Sequence, residues 1–437
     1  MTYSETLDYL YAQLPMFSRV GAAAYKEDLH NTVELCKAIG DPHLQFKTIH
    51  VAGTNGKGST SHMLAAILQE AGYKTGLYTS PHINAFGERI RINGAMIDEA
   101  FVVDFVERTK AISESIQPSF FELTVAMAFE YFAKEQVDIA IIETGLGGRL
   151  DSTNIITPIL SIITNIGYDH MNLLGDTLPA IAGQKAGIIK QNVPAVIGEL
   201  IPETMKVFVA EANKKEAPLY FVQSRFIVEF IEPTGNLLFC NVKDLATNTV
   251  EKLRLDLNGI YQAKNVCTVL MAVDLLRRQG YQLPEKVLHD GLEQVKKLTG
   301  LRGRWDVIQN HPTVILDVAH NAAGIKQVLT QLQYNYASAN LHFILGFVKD
   351  KDVAHVLELF PDNAQYYFTN ANIPRALPAT ELQGLAKEKS LAGETYHNVN
   401  EALSAAKAHA APSDVIMVCG SFFIIGEIDI AENAPAA

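Results

Sequence analysis

The stretch His50-Val51-Ala52-Gly53-Thr54-Asn55-Gly56-Lys57-Gly58-Ser59-Thr60 concentrates the groups best suited to holding an anion. Gly53, Gly56 and Gly58 let the backbone curl and turn its N–H groups toward one point. Lys57 adds a mobile cation that can follow charge as a phosphoryl group moves. Ser59 and Thr60 supply adjacent hydroxyls, and Thr54 and Asn55 complete a polar loop. The spacing departs from the common Gly-x-x-x-x-Gly-Lys-Ser/Thr pattern. Val51 stands where the first glycine belongs, and Gly58 follows Lys57 in place of Ser or Thr. The loop therefore indicates phosphate binding but does not choose between a kinase, an ATPase and a ligase.

Polar residues recur after other apolar runs. Ser80 lies in Ser80-Pro81-His82, Glu143 ends Val137 to Glu143, and His170 closes Gly167-Tyr168-Asp169-His170. A carboxylate at the end of a buried strand needs a reason to be there, and oxygen ligands suit magnesium, which bridges protein and phosphates. His170 reads equally as a ligand or as a hydrogen-bonded loop residue. Lys185, among small apolar residues, reads as surface-bound unless it balances charge at such a site. Phe120, Phe121 and Glu122 open a helical segment, where aromatics pack a core or a flat ring system. Later in the chain, Arg304 lies in Gly303-Arg304-Trp305, and Asp317-Val318-Ala319-His320-Asn321 overlaps the end of another apolar run. Asn265 falls inside a long helical pattern, where Asn is weakly unfavourable.

The elements that must position these groups alternate. Strands are expected at Phe46 to Ala52, Thr75 to Tyr78, Val137 to Glu143 and Ile159 to Thr164. Helices are expected at Tyr3 to Leu10, Lys26 to Ala38, Ser61 to Ala71, Ile97 to Ser113 and Phe121 to Lys134. This is the pattern of an α/β sheet with helices on both faces, whose functional loops lie beyond the strand carboxyl ends. From Pro218 to about Val250, short β-like runs divided by Glu232 to Asn236 predict antiparallel hairpins. Helices follow at Gly259 to Gln279 and Lys286 to Lys297. A second alternation begins near Gly303, with strands at Val314 to Ala319, Leu341 to Gly346, Gln365 to Thr369 and Val415 to Cys419. Its helices are expected at Ala323 to Gln333, Asp352 to Phe360 and Glu401 to His409. The expected division is residues 1–298 and a smaller α/β unit, residues 299–437. The tail from Asn433 to Ala437 is expected to fray.

Composition bounds the reading. The chain has 437 residues, 48% hydrophobic and 19% charged, which is a folded protein of two or three domains. Its 36 Lys and Arg against 48 Asp and Glu give a formal charge of -12 and no basic run, against a nucleic-acid partner. Cys36, Cys240, Cys267 and Cys419 are widely spaced, as in a reducing compartment. No apolar leader or long uncharged apolar run is seen, so a cytoplasmic protein without a membrane partner is expected.

Taken together and in order, these stretches resemble folylpolyglutamate synthase and the bifunctional dihydrofolate synthase/folylpolyglutamate synthase, within the Mur-ligase superfamily. Thr79-Ser80-Pro81-His82, Glu88-Arg89-Ile90-Arg91 and Glu143-Thr144-Gly145-Leu146-Gly147-Gly148-Arg149-Leu150-Asp151 carry the resemblance with the glycine loop, Asn165 to His170 and Asp317 to Asn321. Gln184 and Val318 depart from it, standing where Glu and Gly are frequent. The resemblance implies a P-loop-like ATPase domain with a mostly parallel sheet, followed by a Rossmann-like glutamate-ligase domain. It implies that Thr54 to Thr60, Asn265, Arg304 and Asp317 bind ATP, and that Ser80, Glu143 and His170 bind magnesium. Lys57, Lys185 and His320 are its catalytic candidates, with Lys185 commonly carbamylated. Leu29, His30, Ser119, Phe120, Phe121, Glu122, Leu150, Asp151 and Ser152 would form the pteroate or folate surface. The implied reaction phosphorylates the carboxylate of dihydropteroate or a reduced folate and passes it to the amine of L-glutamate, in a monomer. The rivals are a ligase acting on UDP-linked peptidoglycan precursors and a nucleotide-binding protein that has lost ligation. Ser80-Pro81-His82 and Glu88 to Arg91 argue against the first, and the polar set around Asp317 against the second.

Overall fold

The computed structural model describes residues 1–16, 21, 26 and 28–429. The tail expected to fray, and residue 27 within the second expected helix, lie outside the described residues. The described residues divide into two compact units. The first comprises residues 1–231, 239–256 and 262–301, and the second residues 232–238, 257–261 and 302–437.

The first unit is built on an eight-stranded sheet. Its strands are β1 (Lys47–Ala52), β2 (Thr75–Tyr78), β3 (Ile90–Ile92), β4 (Ala95–Met96), β5 (Ile139–Glu143), β6 (Leu160–Ile163), β7 (Ala195–Ile197) and β8 (Leu219–Phe221). Their order is β4-β3-β2-β5-β1-β6-β7-β8. β2, β5, β1, β6, β7 and β8 run parallel, while β3 and β4 add an antiparallel edge. β1 leads to β2 on one side of itself, and β6 leads to β7 on the other, so the loops leaving β1 and β6 flank a switch point. That is where open α/β sheets bind ligands. β1 after Lys47, and β5 and β6 throughout, are buried because helices cover both faces of the sheet, with Thr48, His50 and Ser161 among the buried side chains. The helix Lys57–Glu70 is buried from Gly58 through Leu68, which explains why its sequence shows no polar stripe. Gly291 lets another helix approach it, since a Cβ there would sit 2.8 Å from Ile67 Cα.

Hairpins form as β9 (Phe226–Thr234), β10 (Leu237–Asp244) and β11 (Thr249–Leu255) in the order β11-β10-β9, but they begin later than expected, because Leu219–Phe221 joins the parallel sheet as β8. Their turn is shorter than the expected break, because Glu232 to Thr234 remain in β9. Gly235, at φ +59°, makes the reversal.

The second unit carries β12 (Asp306–Asn310), β13 (Thr313–Leu316), β14 (Leu341–Leu345), β15 (Gln365–Phe368), β16 (Gly393–Thr395) and β17 (Val415–Cys419). Their order is β12-β13-β17-β14-β15-β16, parallel except for β12. Its core includes Trp305, Phe343, Phe347, Phe368, Leu382 and Met417.

Several expected boundaries shift. The second helix starts at His30 rather than Lys26, and the helix after the glycine loop starts at Lys57 rather than Ser61. The helix expected from Gly259 starts at Gln262, so Asn265 lies in its first turn and not its interior. The single helix expected from Lys286 to Lys297 is two, Glu285–Glu293 and Val295–Thr299, broken at Gln294. Among the described residues no helix is long and apolar enough to cross a membrane.

One packing detail has a measurable consequence. His50 on β1 is fully buried, and its Nε2–H donates to Thr153 Oγ1 at 2.8 Å. That hydroxyl must accept, because its own hydrogen goes to Asp151 Oδ1. Burial, then the positive charge of Lys190, pushes the His50 pKa down to about 3 from 6.5. A depressed folded-state pKa means that stability is full above pH 6.5 and falls away as pH drops from 6.5 toward 3. About 2 kcal/mol should be lost between pH 7.5 and pH 5 through this group. Denaturant titrations of the wild type and His50→Gln at both pH values would check it. Equal pH dependence in the two proteins would remove His50 as the source.

Candidate active site

The glycine loop leaves β1 and enters the helix Lys57–Glu70. Gly53 and Gly56 adopt φ +153° and +83°, conformations that L side chains rarely take. A Cβ at Gly53 would overlap Thr164 Oγ1, and one at Gly56 would overlap Asn265 Oδ1. The loop is fastened to the segment after β6. Thr54 N–H donates to Asn165 O at 3.1 Å and Asn55 N–H to Asn165 Oδ1 at 2.8 Å. Thr164 Oγ1 donates to Asn55 O at 2.6 Å, and Gly167 N–H donates to Thr54 Oγ1 at 2.9 Å. These bonds hold the loop open as a cradle. Gly56, at the N-cap of the helix that follows, has no side chain to cap it, which suits its first N–H groups to an anion.

Two lysines converge on this loop. Lys57 Nζ donates to Gly53 O at 3.1 Å and to Thr54 O at 3.3 Å. Lys185 Nζ donates to the same Gly53 O at 2.9 Å. Lys185 is only 4% exposed, so of the two readings its sequence context leaves open, the surface one does not hold. It sits on the helix Leu178–Ala186, and the fold carries that helix back under the loop.

Glu143 ends β5, the neighbour of β1, with Val51 as its register partner. It is 4% exposed, and its Oε2 accepts the Ser80 N–H at 3.4 Å. The Ser80 loop is itself pinned by Glu88, whose carboxylate accepts the N–H groups of Ile83, Asn84 and Ala85. His170 follows β6 in the left-handed region, at φ +50°, heading a short helix. Glu143 thus lies beside the glycine loop and within reach of Ser80, while His170 belongs to the segment that fastens the loop. Among the described residues no group of three or more His, Cys, Asp or Glu could hold a metal by itself. A buried carboxylate with a neighbouring serine nevertheless suits magnesium, which takes few protein ligands and completes its shell with phosphate and water.

The expected folate-surface residues fall into two kinds. Ser119 caps the helix Phe120–Lys134, and Glu122 closes the capping box by accepting the Ser119 N–H at 2.6 Å. Asn31 also donates to Glu122 at 3.2 Å, tying the helix that His30 begins and Leu29 caps. Asp151 is buried, accepting N–H groups from Leu146 at 2.8 Å and Thr153 at 3.0 Å. These residues shape local backbone. Phe121 instead lies over the loop after β5, where a Cβ on Gly145 would meet its ring. Leu150 and Ser152 are half-buried in the same loop region as Asp151. Phe120 packs inward, with the Arg89 guanidinium 5.1 Å from its ring centre.

In the second unit, Asp317 follows β13 and is 3% exposed. Its Oδ2 accepts from Tyr261 at 2.7 Å and from the Trp305 N–H at 2.9 Å, and its Oδ1 from the Ala319 N–H at 2.8 Å. Burial raises its pKa, opposed by the Tyr261 hydrogen bond and the Arg304 charge. Arg304 lies 5.1 Å from the Phe422 ring centre, and His320 lies 5.9 Å from the same ring. The fold therefore brings Arg304 to the strand end where Asp317 and His320 lie close together in sequence. Sequence reasoning gave no role to Thr164 or Gln262. A threonine ending a buried strand was the available signal for the first, and a glutamine at a helix start for the second.

Comparison with known proteins places this arrangement. Residues 51–273 match the Mur ligase middle domain, and residues 303–422 match the Mur ligase glutamate ligase domain. The loop, the sheet and these two domains define a Mur-type ATP-dependent ligase. The chain is 32% identical to the dihydrofolate synthase/folylpolyglutamate synthase of Bacillus subtilis, over 92% of this chain and 94% of that one. It is 32% identical to the folylpolyglutamate synthase of Lacticaseibacillus casei, over 98% of each. Among solved structures, Escherichia coli FolC in complex with DHPP and ADP superposes with a TM-score of 0.84 at 29% identity, covering 98% of this chain and 96% of that one. Mycobacterium tuberculosis folylpolyglutamate synthase complexed with ADP and AMPPCP gives 0.85 at 30% identity, covering 98% and 100%. The chain belongs to the dihydrofolate synthase/folylpolyglutamate synthase family of Mur ligases.

Proposed function

We propose that this chain joins L-glutamate to the carboxylate of dihydropteroate, of reduced folates, or of both, at the expense of ATP. The observation that carries the reading is the convergence of Lys57 and Lys185 on the Gly53 carbonyl, beside an uncapped helix start. Such a cradle holds the β- and γ-phosphates while the acceptor carboxylate attacks the γ-phosphorus. The P–O bond to ADP breaks as the acyl phosphate forms. The free amine of glutamate then attacks the acyl carbon, phosphate leaves, and an amide remains. Lys57 stabilises charge on the transferring group because it can leave the loop carbonyls for the phosphoryl oxygens. Thr54 to Thr60 cradle the phosphates, and Asn265, Arg304 and Asp317 contact ATP. His320 works beside Arg304 and Asp317.

Ser80, Glu143 and His170 are the residues that would hold magnesium, which when bound neutralises phosphate charge. Lys185 acts at the same loop, and as a carbamate it would present an anion to that metal rather than an ammonium to Gly53. Leu29, His30, Ser119 to Glu122 and Leu150 to Ser152 line the acceptor's surface, with Phe121 as its aromatic wall. Residues 1–298 carry ATP and the acceptor, and residues 299–437 complete ligation. The enzyme works as a monomer in the cytoplasm, where its four buried, unbridged cysteines stay reduced.

The test is product formation dependent on both ATP and L-glutamate, measured separately with dihydropteroate and with tetrahydrofolate. A glutamylated product is expected from at least one acceptor. No product from either would overturn the proposal.

A further inference from the structure

We infer that Gln262 is a positioning residue for the nucleotide, acting through the hydroxyl of Ser59 and the amide of Asn265. This assignment rests on the phosphate-loop reading above. Gln262 opens the helix Gln262–Arg278 and is fully buried. A buried primary amide is costly unless both of its ends are bonded. Both ends are bonded here. Its Nε2 donates to Ser59 Oγ at 3.1 Å, and its Oε1 accepts from Asn265 Nδ2 at 2.8 Å.

The direction of these bonds sets the polarity of two groups at the loop. Ser59 lies in the first turn of the helix Lys57–Glu70 and is itself 2% exposed. Since its oxygen accepts from Gln262, its single hydrogen is directed elsewhere. The nearest anion that this part of the fold is built to receive is the phosphate of the cradle. Gln262 therefore keeps the Ser59 hydroxyl a donor toward phosphate. The same glutamine orients Asn265, because an Asn265 nitrogen bonded to Gln262 turns Oδ1 toward Gly56. Gly56 must be glycine partly for this reason, as a Cβ there would overlap Asn265 Oδ1. One buried amide thus couples the helix Gln262–Arg278 to the phosphate loop at two points.

The test uses Gln262→Met, which keeps much of the volume and removes both polar ends. ADP affinity by calorimetry and the KM for ATP and for the acceptor are measured in the full chain. Affinity for ADP should fall, and KM for ATP rise, by about tenfold, the size of a lost hydrogen bond to a charged group. The acceptor KM should stay unchanged. In a Ser59→Ala background the same substitution should change ADP affinity far less, since its main route of action is already gone. A purely structural glutamine predicts the reverse: equal effects in both backgrounds, and a fall in thermal midpoint with no selective change toward nucleotide. Either outcome would overturn the assignment. If Gln262→Met does not fold, Gln262→Glu replaces it. That variant still accepts from Asn265 but cannot donate to Ser59, and the same loss of ADP affinity is expected. ADP affinity no lower than wild type in the folded variant would overturn it too. A wild type that binds ADP yet forms no amide would sink the ligase proposal while leaving Gln262 standing. A wild type that binds no nucleotide would sink both.

Discussion

Replacing Lys57 by alanine should lower turnover about a thousandfold, equivalent to about 4 kcal/mol of transition-state stabilisation. The reason lies in where its nitrogen rests. Lys57 Nζ sits on Gly53 O and Thr54 O at 3.1 and 3.3 Å, at the lip of the loop, and is half-buried rather than locked in the core. A cation so placed can shift onto a phosphoryl oxygen as negative charge develops there. Lys185 does not replace it, because its side chain is buried and its nitrogen is held on the same carbonyl at 2.9 Å. Truncation also removes two hydrogen bonds that brace the loop, so nucleotide affinity should drop as well, but by less than turnover. Steady-state kinetics at saturating ATP, with a thermal melt to confirm folding, separates the two effects. Turnover within a few-fold of wild type in a folded Lys57→Ala protein would sink the role.

Gly53→Ala should abolish measurable nucleotide binding and cost about 3 kcal/mol of stability. Two independent causes act at this position. The backbone stands at φ +153°, where an alanine is strained. The added methyl would also occupy the space of Thr164 Oγ1, which bonds the loop through Asn55 O at 2.6 Å. Relief of the clash must therefore undo the fastening that shapes the cradle. Thr164→Ala in the Gly53→Ala background should recover part of the stability, because it opens the space, but little of the binding, because the fastening stays lost. ADP titration calorimetry and denaturant unfolding would show this. Normal ADP affinity in Gly53→Ala would mean that the loop tolerates a different backbone, and the account of the cradle would fail.

The sequence by itself determined the periodic elements and the phosphate loop. Long apolar runs such as β5 and β17 were legible because a parallel strand covered on both faces has no alternation to hide it. The loop was legible because glycine, lysine and hydroxyls are adjacent in the chain, so their chemistry needs no folding to be recognised. Boundaries near helix starts were not legible. Residues Lys57 to Thr60 look like loop in composition, yet they form the first helical turn, since the uncapped N–H groups there await a ligand rather than a side chain. Asn265 read as a helix-interior anomaly only because the true start at Gln262 depends on packing.

Tertiary structure alone decided the pairings that make a site from these parts. Lys185 Nζ donates to Gly53 O across 132 residues, and nothing in its apolar surroundings announces that contact. Thr164 and Asn165 reach the loop because β6 happens to lie beside β1, an order set by sheet topology and not by chain proximity. Asp317 gains Tyr261 and Trp305 as donors in the same way, its burial demanding partners that the local sequence lacks. Adjacent residues declare their chemistry by composition, whereas partners distant in sequence are chosen by which strand ends the fold brings together.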